Sequence, residues 1–185
     1  MTDVVSTPLA GYSVELLPVA EDDLEMIRQW RNSPAVSQYM LSRDEISQEQ
    51  QLAWFKKLQR ENNQQHWVIY YKNQAIGSAN IKACYKGQEL STATAIEAGL
   101  YIADERYRGN IIAFAPALLI NDYCFSTLNT GQMLAVVKPS NTAALNYNQK
   151  LGYKIQQRGE LITLTLTKQD YQQATQLIKQ FLSRE

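Results

Sequence analysis

Residues 94–113 read TAIEAGLYIADERYRGNIIA, and the architecture turns on how they are read. The first half, Thr94 to Ile102, is an apolar run around one ionisable residue, Glu97, and reads as a strand. The second half, Arg106-Tyr107-Arg108-Gly109-Asn110-Ile111-Ile112-Ala113, leads into an apolar stretch that predicts a helix from about Gly109 to Phe125. Pro116 lies inside that stretch and removes a backbone donor, so a bend or local break is expected there. A helix start leaves several N–H groups without partners and carries partial positive charge, a combination that binds phosphate. Gly109 allows close approach of a ligand to the backbone, and Arg106 and Arg108 add charge. Taken alone, an ordinary strand-to-helix turn with solvated arginines explains the same residues.

Toward the N-terminus, residues 1–11 read as a flexible arm and Tyr12 to Leu17 as a first strand. Pro18 is expected to open a helix carrying Leu24, Ile27 and Trp30 on one face, ended by Asn32-Ser33-Pro34. Ser47-Gln-Glu-Gln50 is a capping-box pattern before a second helix with Leu52, Trp54, Phe55 and Leu58. Trp67 to Tyr71 and Ala75 to Ile81 form strands about a turn at Lys72-Asn73-Gln74.

Toward the C-terminus, Met133 to Val137 is wholly apolar, as a buried central strand should be. Ser140 is expected to cap a helix running to Leu151, with Gly152 ending it. Strands at Tyr153–Gln157 and Leu161–Leu166 precede a last helix opened by Thr167-Lys-Gln-Asp170. The sum is a mixed α+β domain in the order β-α-α-β-β-β-α-β-α-β-β-α.

Composition narrows the function. The chain has 185 residues, 45% of them hydrophobic, enough for one domain with a sizeable core. Eighteen basic residues balance eighteen acidic ones, which argues against a nucleic-acid partner but leaves room for a small anionic ligand held locally. Cys84 and Cys124 fall in separate elements; one bridge would be allowed, and two free thiols in a reducing compartment is the simpler reading. One histidine, His66, with two scattered cysteines gives no metal-ligand spacing, so no metal is expected. No run approaches the roughly 20 apolar residues of a membrane span. The first residues show neither a basic segment nor a signal-peptide core. A cytoplasmic protein with no membrane partner, monomer or homodimer, is expected.

The segment Arg106-x-x-Gly109-x-Ile111 resembles the acetyl-CoA pyrophosphate loop of the GNAT acetyltransferase superfamily, Gln/Arg-x-x-Gly-x-Gly/Ala. Ile111 stands where that family has a small residue. After Val136-Val137, the set Asn141, Ala144, Tyr147, Lys150, Gly152 and Tyr153 is similar to a second family pattern, Asn-x-x-Ala/Ser followed by Tyr-x-x-Lys-x-Gly-Phe/Tyr. Asn141, Ala144 and Tyr147 recur on one helical face. A capped amphipathic helix with a packed Tyr would account for Tyr147 alone, but not for two motifs in this order. The resemblance covers residues 12–158 and implies a GNAT fold, a mixed, mostly antiparallel sheet flanked by helices, forming a single domain over 12–185.

The resemblance also implies the chemistry. The strand before the loop would splay from its neighbour and offer amides at Leu100, Tyr101 and Ile102 to pantetheine and the thioester carbonyl, as an oxyanion hole does. The pyrophosphate would lie at Arg106, Arg108, Gly109, Asn110, Ile111, Ile112 and Ala113, with Asn141 and Ala144 beside the pantetheine. Glu97 is the candidate base that takes the amine proton, and a solvated or ion-paired Glu97 is the plainer alternative. Tyr147 is the candidate acid for the leaving thiolate.

The acceptor would meet the helix end Trp30-Arg31-Asn32 and Met40, a series that resembles the enzymes acetylating nucleotide-linked amino sugars, such as those of the pseudaminic-acid pathway. Arg31 would face phosphate and Met40 a deoxy-sugar methyl; core packing for Met40 and a surface role for Arg31 fit equally. The leading expectation is an acetyl-CoA-dependent N-acetyltransferase for such a small amine. Protein N-terminal or polyamine acetylation is the second, and a non-catalytic CoA-binding module the third.

Overall fold

The computed structural model describes residues 7–184. Strands β1 (Leu9–Gly11) and β2 (Val14–Pro18) form a hairpin whose turn holds Tyr12 and Ser13 at φ of 51° and 65°. That left-handed pair gives the twist a two-residue hairpin turn needs. A tight turn at Glu21–Asp23 leads into α1 (Leu24–Asn32), followed by a short α2 (Pro34–Ser37) and α3 (Gln48–Leu58). Strands β3 (Gln64–Tyr71) and β4 (Gln74–Ala83) make a second hairpin, again with positive φ at Lys72 and Asn73. Then come β5 (Ala95–Ile102), α4 (Ala115–Asp122), β6 (Gln132–Val137), α5 (Thr142–Lys150), β7 (Lys154–Gln157), β8 (Ile162–Leu166) and α6 (Lys168–Leu182).

One eight-stranded sheet runs β1-β2-β3-β4-β5-β6-β8-β7. Every pair is antiparallel except β5 with β6. Strand residues alternate between two faces. On one face Trp67, Ile81, Ile96, Met133 and Leu164 pack with Leu118 and Ile120 of α4 and Tyr171 of α6 in a single core. Burying each such side chain stabilises by roughly 1.5–3 kcal/mol. The other face carries His66, Val68 and Tyr101. Here α1 and α3 lie over the sheet: Trp30 meets Tyr101 and Trp54 meets His66, both edge-on. Leu24, Ile27, Val36, Phe55 and Leu58 are buried outside the larger core.

Four local expectations change. The arm expected over residues 1–11 is strand β1 at Leu9–Gly11, and residues 1–6 lie outside the described region. Pro18 closes β2 rather than opening a helix; at a strand end its missing N–H costs no sheet hydrogen bond. The single helix from Gly109 becomes a 3₁₀ turn (Ile111–Phe114), α4, and a π turn (Tyr123–Thr127). Pro116 sits in the first turn of α4, where no N–H is needed, so the proline starts a helix instead of breaking one. Asn141, not Ser140, caps α5: its Oδ1 accepts from the Ala144 N–H at 3.1 Å. The Ser47 capping box is present as expected. Cys84 and Cys124 are both free.

Candidate active site

Strands β5 and β6 pair only at Ala95–Gln132, Ile96–Met133 and Glu97–Leu134. Beyond Glu97 the two strands part, while β5 continues to Ile102 beside β4 and β6 continues to Val137 beside β8. The direction of the open main-chain groups follows from their neighbours. The Thr94 carbonyl accepts from the Gly131 and Gln132 amides on the β6 side, and the Ala95 carbonyl accepts from Cys84 on the β4 side. Alternation then turns the main chain of Ala98, Leu100 and Ile102 into the splay. Tyr101 is the correction. Its main chain faces β4, opposite Ser78, so only its side chain can serve a ligand. The amides of Leu100 and Ile102 face the splay.

The loop after β5 closes one end of the splay. Gly109 has φ of 71°, and a Cβ built on it meets no atom within 4 Å. Glycine is therefore required for backbone conformation and not for internal packing. The amides of Gly109 and Ile111 donate to no protein acceptor among the described residues. Asn110 Oδ1 accepts from the Ile112 N–H at 3.1 Å and caps the 3₁₀ turn that carries Ala113. The Ile111 side chain is 39% exposed, so it stands off the loop into solvent and its bulk need not crowd a bound phosphate.

The two arginines differ. Arg106 forms a forked pair with Asp104, with a shortest contact of 2.6 Å, and reaches Gln74. Such an exposed, solvent-screened pair is weak enough for a phosphate to displace. Arg108 instead donates to the carbonyls of Ile102 (2.8 Å) and Ala103 (2.7 Å), pinning the loop to the end of β5.

Helix α5 faces this loop. The Tyr147 hydroxyl donates to the Ala113 carbonyl at 2.7 Å, and its ring stacks on Phe114, centroids 4.7 Å apart and 7° from parallel. Burial pushes the phenol well above the ordinary tyrosine range. The Asn141 carbonyl oxygen serves as the cap, which leaves its amide NH₂ for a ligand. Ala144 and Tyr147 both pack partly against the main core.

On the face of α1 and α3, alternation places Glu97, Gly99 and Tyr101 side by side. Glu97 is half-buried, opposite Lys82, and forms no ion pair among the described residues. Arg31 has its Nε buried without an acceptor, and so does the Tyr101 hydroxyl. Burial, with help from Arg31 and Lys82, pushes His66 down to about 4, so the ring is neutral at pH 7.

Met40 lies in the connection between α2 and α3. Its carbonyl accepts from Lys138 at the end of β6, which ties this connection to the far side of the splay. Asn32 fixes the other end of the same connection by exchanging two hydrogen bonds of 2.9 Å with the main chain of Ile46. Lys138, Phe114 and Asn32 carry no sequence signal of these roles, since each partner is remote or unremarkable in the chain. A groove of about 750 Å³ lined by Tyr12, Asp122, Thr127 and Ser183, among others, shares no residue with the splay.

The family model described as "Acetyltransferase (GNAT) domain" matches residues 13–154. Acetyltransferase PseH of Campylobacter jejuni is 26% identical over 136 residues, covering 72% of this chain and 78% of that protein. Spermidine N(1)-acetyltransferase of Escherichia coli K12 is 22% identical over 153 residues, covering 83% of this chain and 78% of that protein. Aminoglycoside acetyltransferase AAC(6')-Ib, solved with coenzyme A, superposes with a TM-score of 0.74 at 15% identity, over 87% of this chain and 98% of that one.

Proposed function

The chain belongs to the GNAT acetyltransferase family and is an acyltransferase, and from that premise we propose that it moves acetyl from acetyl-CoA to the primary amine of a nucleotide-linked amino sugar. The donor fits the splay of β5 and β6. Its pyrophosphate would take the amides of Gly109 and Ile111 and the Arg106 guanidinium. Its pantetheine would run beside Leu100, Ile102 and the Asn141 side-chain amide.

Chemistry then falls to residues on either side of the sheet. Glu97 takes the proton of the ammonium, directly or through water, because a protonated amine has no lone pair to attack with. The amides of the splayed strand stabilise charge growing on the carbonyl oxygen. As the new C–N bond forms and the C–S bond breaks, Tyr147 gives its proton to the leaving sulfur, and the second proton released from the nitrogen passes to solvent, from which Tyr147 is reprotonated. Burial raises the thiolate's affinity for that proton as well as the phenol's, so the transfer is less uphill than ordinary values imply.

One observation carries the acceptor class: Arg31 is half-buried, its Nε is buried without an acceptor, and it forms no ion pair among the described residues. A buried N–H without an acceptor is costly, so an acceptor with phosphate oxygens supplies what the fold leaves out. Met40 would line the sugar end. A polyamine is the second reading, favoured by the resemblance to the spermidine enzyme but opposed by the charge of Arg31. The test is a thiol-release assay comparing UDP-linked 4-amino-4,6-dideoxy sugars, spermidine and N-terminal peptides at equal concentration. Faster reaction of spermidine or peptides than of any nucleotide sugar refutes the proposal.

A further inference from the structure

Resting on the reading that the acceptor binds on the α1/α3 face, we propose that the Tyr101 hydroxyl is a second acceptor-reading group, donating a hydrogen bond to an oxygen of the acceptor beside the anionic part that Arg31 meets. Tyr101 is held firmly. Its main chain is paired to β4, and its ring meets Trp30 edge-on, centroids 6.4 Å apart at 85°. The hydroxyl is nevertheless buried with no protein partner among the described residues. Ser78, opposite it across the strand pair, donates its own hydroxyl to the Trp67 carbonyl at 3.0 Å.

A phenylalanine would fill the same space without this loss. A buried polar group left unpaired destabilises the fold, so the oxygen is useful only if something outside the chain accepts from it. Burial keeps the group protonated, pushed up to about 12 against the charge of Arg31 and the nearby Ser78 hydroxyl, whose contact falls short of hydrogen-bond geometry, so at neutral pH it is a donor. Arg31 follows Trp30, whose ring meets Tyr101, and its charge acts on both Tyr101 and His66.

The spacing adds a length. Glu97 and Tyr101 lie four positions apart on one face of β5, roughly 13 Å between Cα atoms. Gly99 keeps the floor between them low: a Cβ there would come within 3.0 Å of Asn80 Oδ1. An acceptor whose amine lies by Glu97 and whose oxygens lie by Tyr101 is therefore extended, longer than a single sugar ring.

The variant Tyr101→Phe separates this role from a structural one. Because the hydroxyl has no protein partner, the melting temperature should stay level or rise. The acceptor KM should rise about tenfold or more, with the acetyl-CoA KM unchanged. The measurement runs on UDP-linked 4-amino-4,6-dideoxy sugar, with kanamycin and an N-terminal peptide in parallel. If the nucleotide sugar fails and another amine reacts, the acceptor assignment above is lost, and the same KM comparison on that amine still decides Tyr101. An unmoved acceptor KM for the best-reacting amine, or a melting temperature several degrees lower, overturns the proposal.

Discussion

Replacing Tyr147 with Phe sets two roles of one hydroxyl against each other. The phenol donates to the Ala113 carbonyl at 2.7 Å and the ring stacks on Phe114. Phe keeps the stack and deletes only the donor. Ala113 is buried, so its carbonyl loses a partner, at a cost of about 1–2 kcal/mol. For a chain of this size that lowers the melting temperature by roughly 2–8 °C. If the hydroxyl also protonates the leaving sulfur, kcat and kcat/KM fall together by about 10²–10⁴, while acetyl-CoA affinity changes little. The phenol has one proton, which in this structure goes to Ala113, so serving the sulfur requires that bond to yield during turnover. Calorimetry, titration of acetyl-CoA and steady-state kinetics read the three quantities separately. A lower melting temperature with unchanged kcat would show Tyr147 to be a strut between α5 and the loop, and would refute its role as acid.

Other predictions concern the loop, the base and His66. Gly109→Ala should destabilise by about 1–2 kcal/mol through its positive φ alone, since the new Cβ meets nothing, and should weaken acetyl-CoA binding measurably by calorimetry; equal binding by both proteins would remove the pyrophosphate from this loop. Glu97→Gln should lower kcat and erase the acidic limb of the pH–rate profile, and a surviving limb would assign the base elsewhere. His66 is depressed from 6.5 to about 4, so it binds fewer protons folded than unfolded between those values. Its contribution is complete above about pH 6.5 and is lost as pH falls toward 4. Urea unfolding at pH 7 and pH 4.5 should therefore show His66→Phe losing less stability than the wild type, by on the order of 2 kcal/mol. Parallel loss in both proteins would count against a buried neutral ring.

The order of elements was legible because the signals are local. Ser47 and Gln50 satisfy each other's main chain within one turn, and Lys72-Asn73 adopts the conformation its hairpin needs, whatever packs around them. Gly109 and the Asn141-to-Tyr153 spacing likewise marked the loop after β5 and the helix α5 that contacts it, since backbone conformation and helical periodicity are properties of short segments. Where local rules failed, a neighbour in space had decided. Three residues of β1 carry too little pattern to be seen and exist because β2 offers an edge. Ser140 and Asn141 are both good caps, and the path of the chain out of β6 selected Asn141.

By itself, then, the sequence determined the α+β order, the glycine-containing loop after β5 and the helix that faces it, because each is encoded by residues close together in the chain. Only the tertiary structure decided which amides open into the splay, that Arg108 is tied to carbonyls while Arg106 is only loosely held, and that Arg31 Nε and the Tyr101 hydroxyl are buried without partners among the described residues. Those facts depend on strand register and burial, which arise only when segments 30 to 100 residues apart pack together and exclude water from some polar atoms but not others.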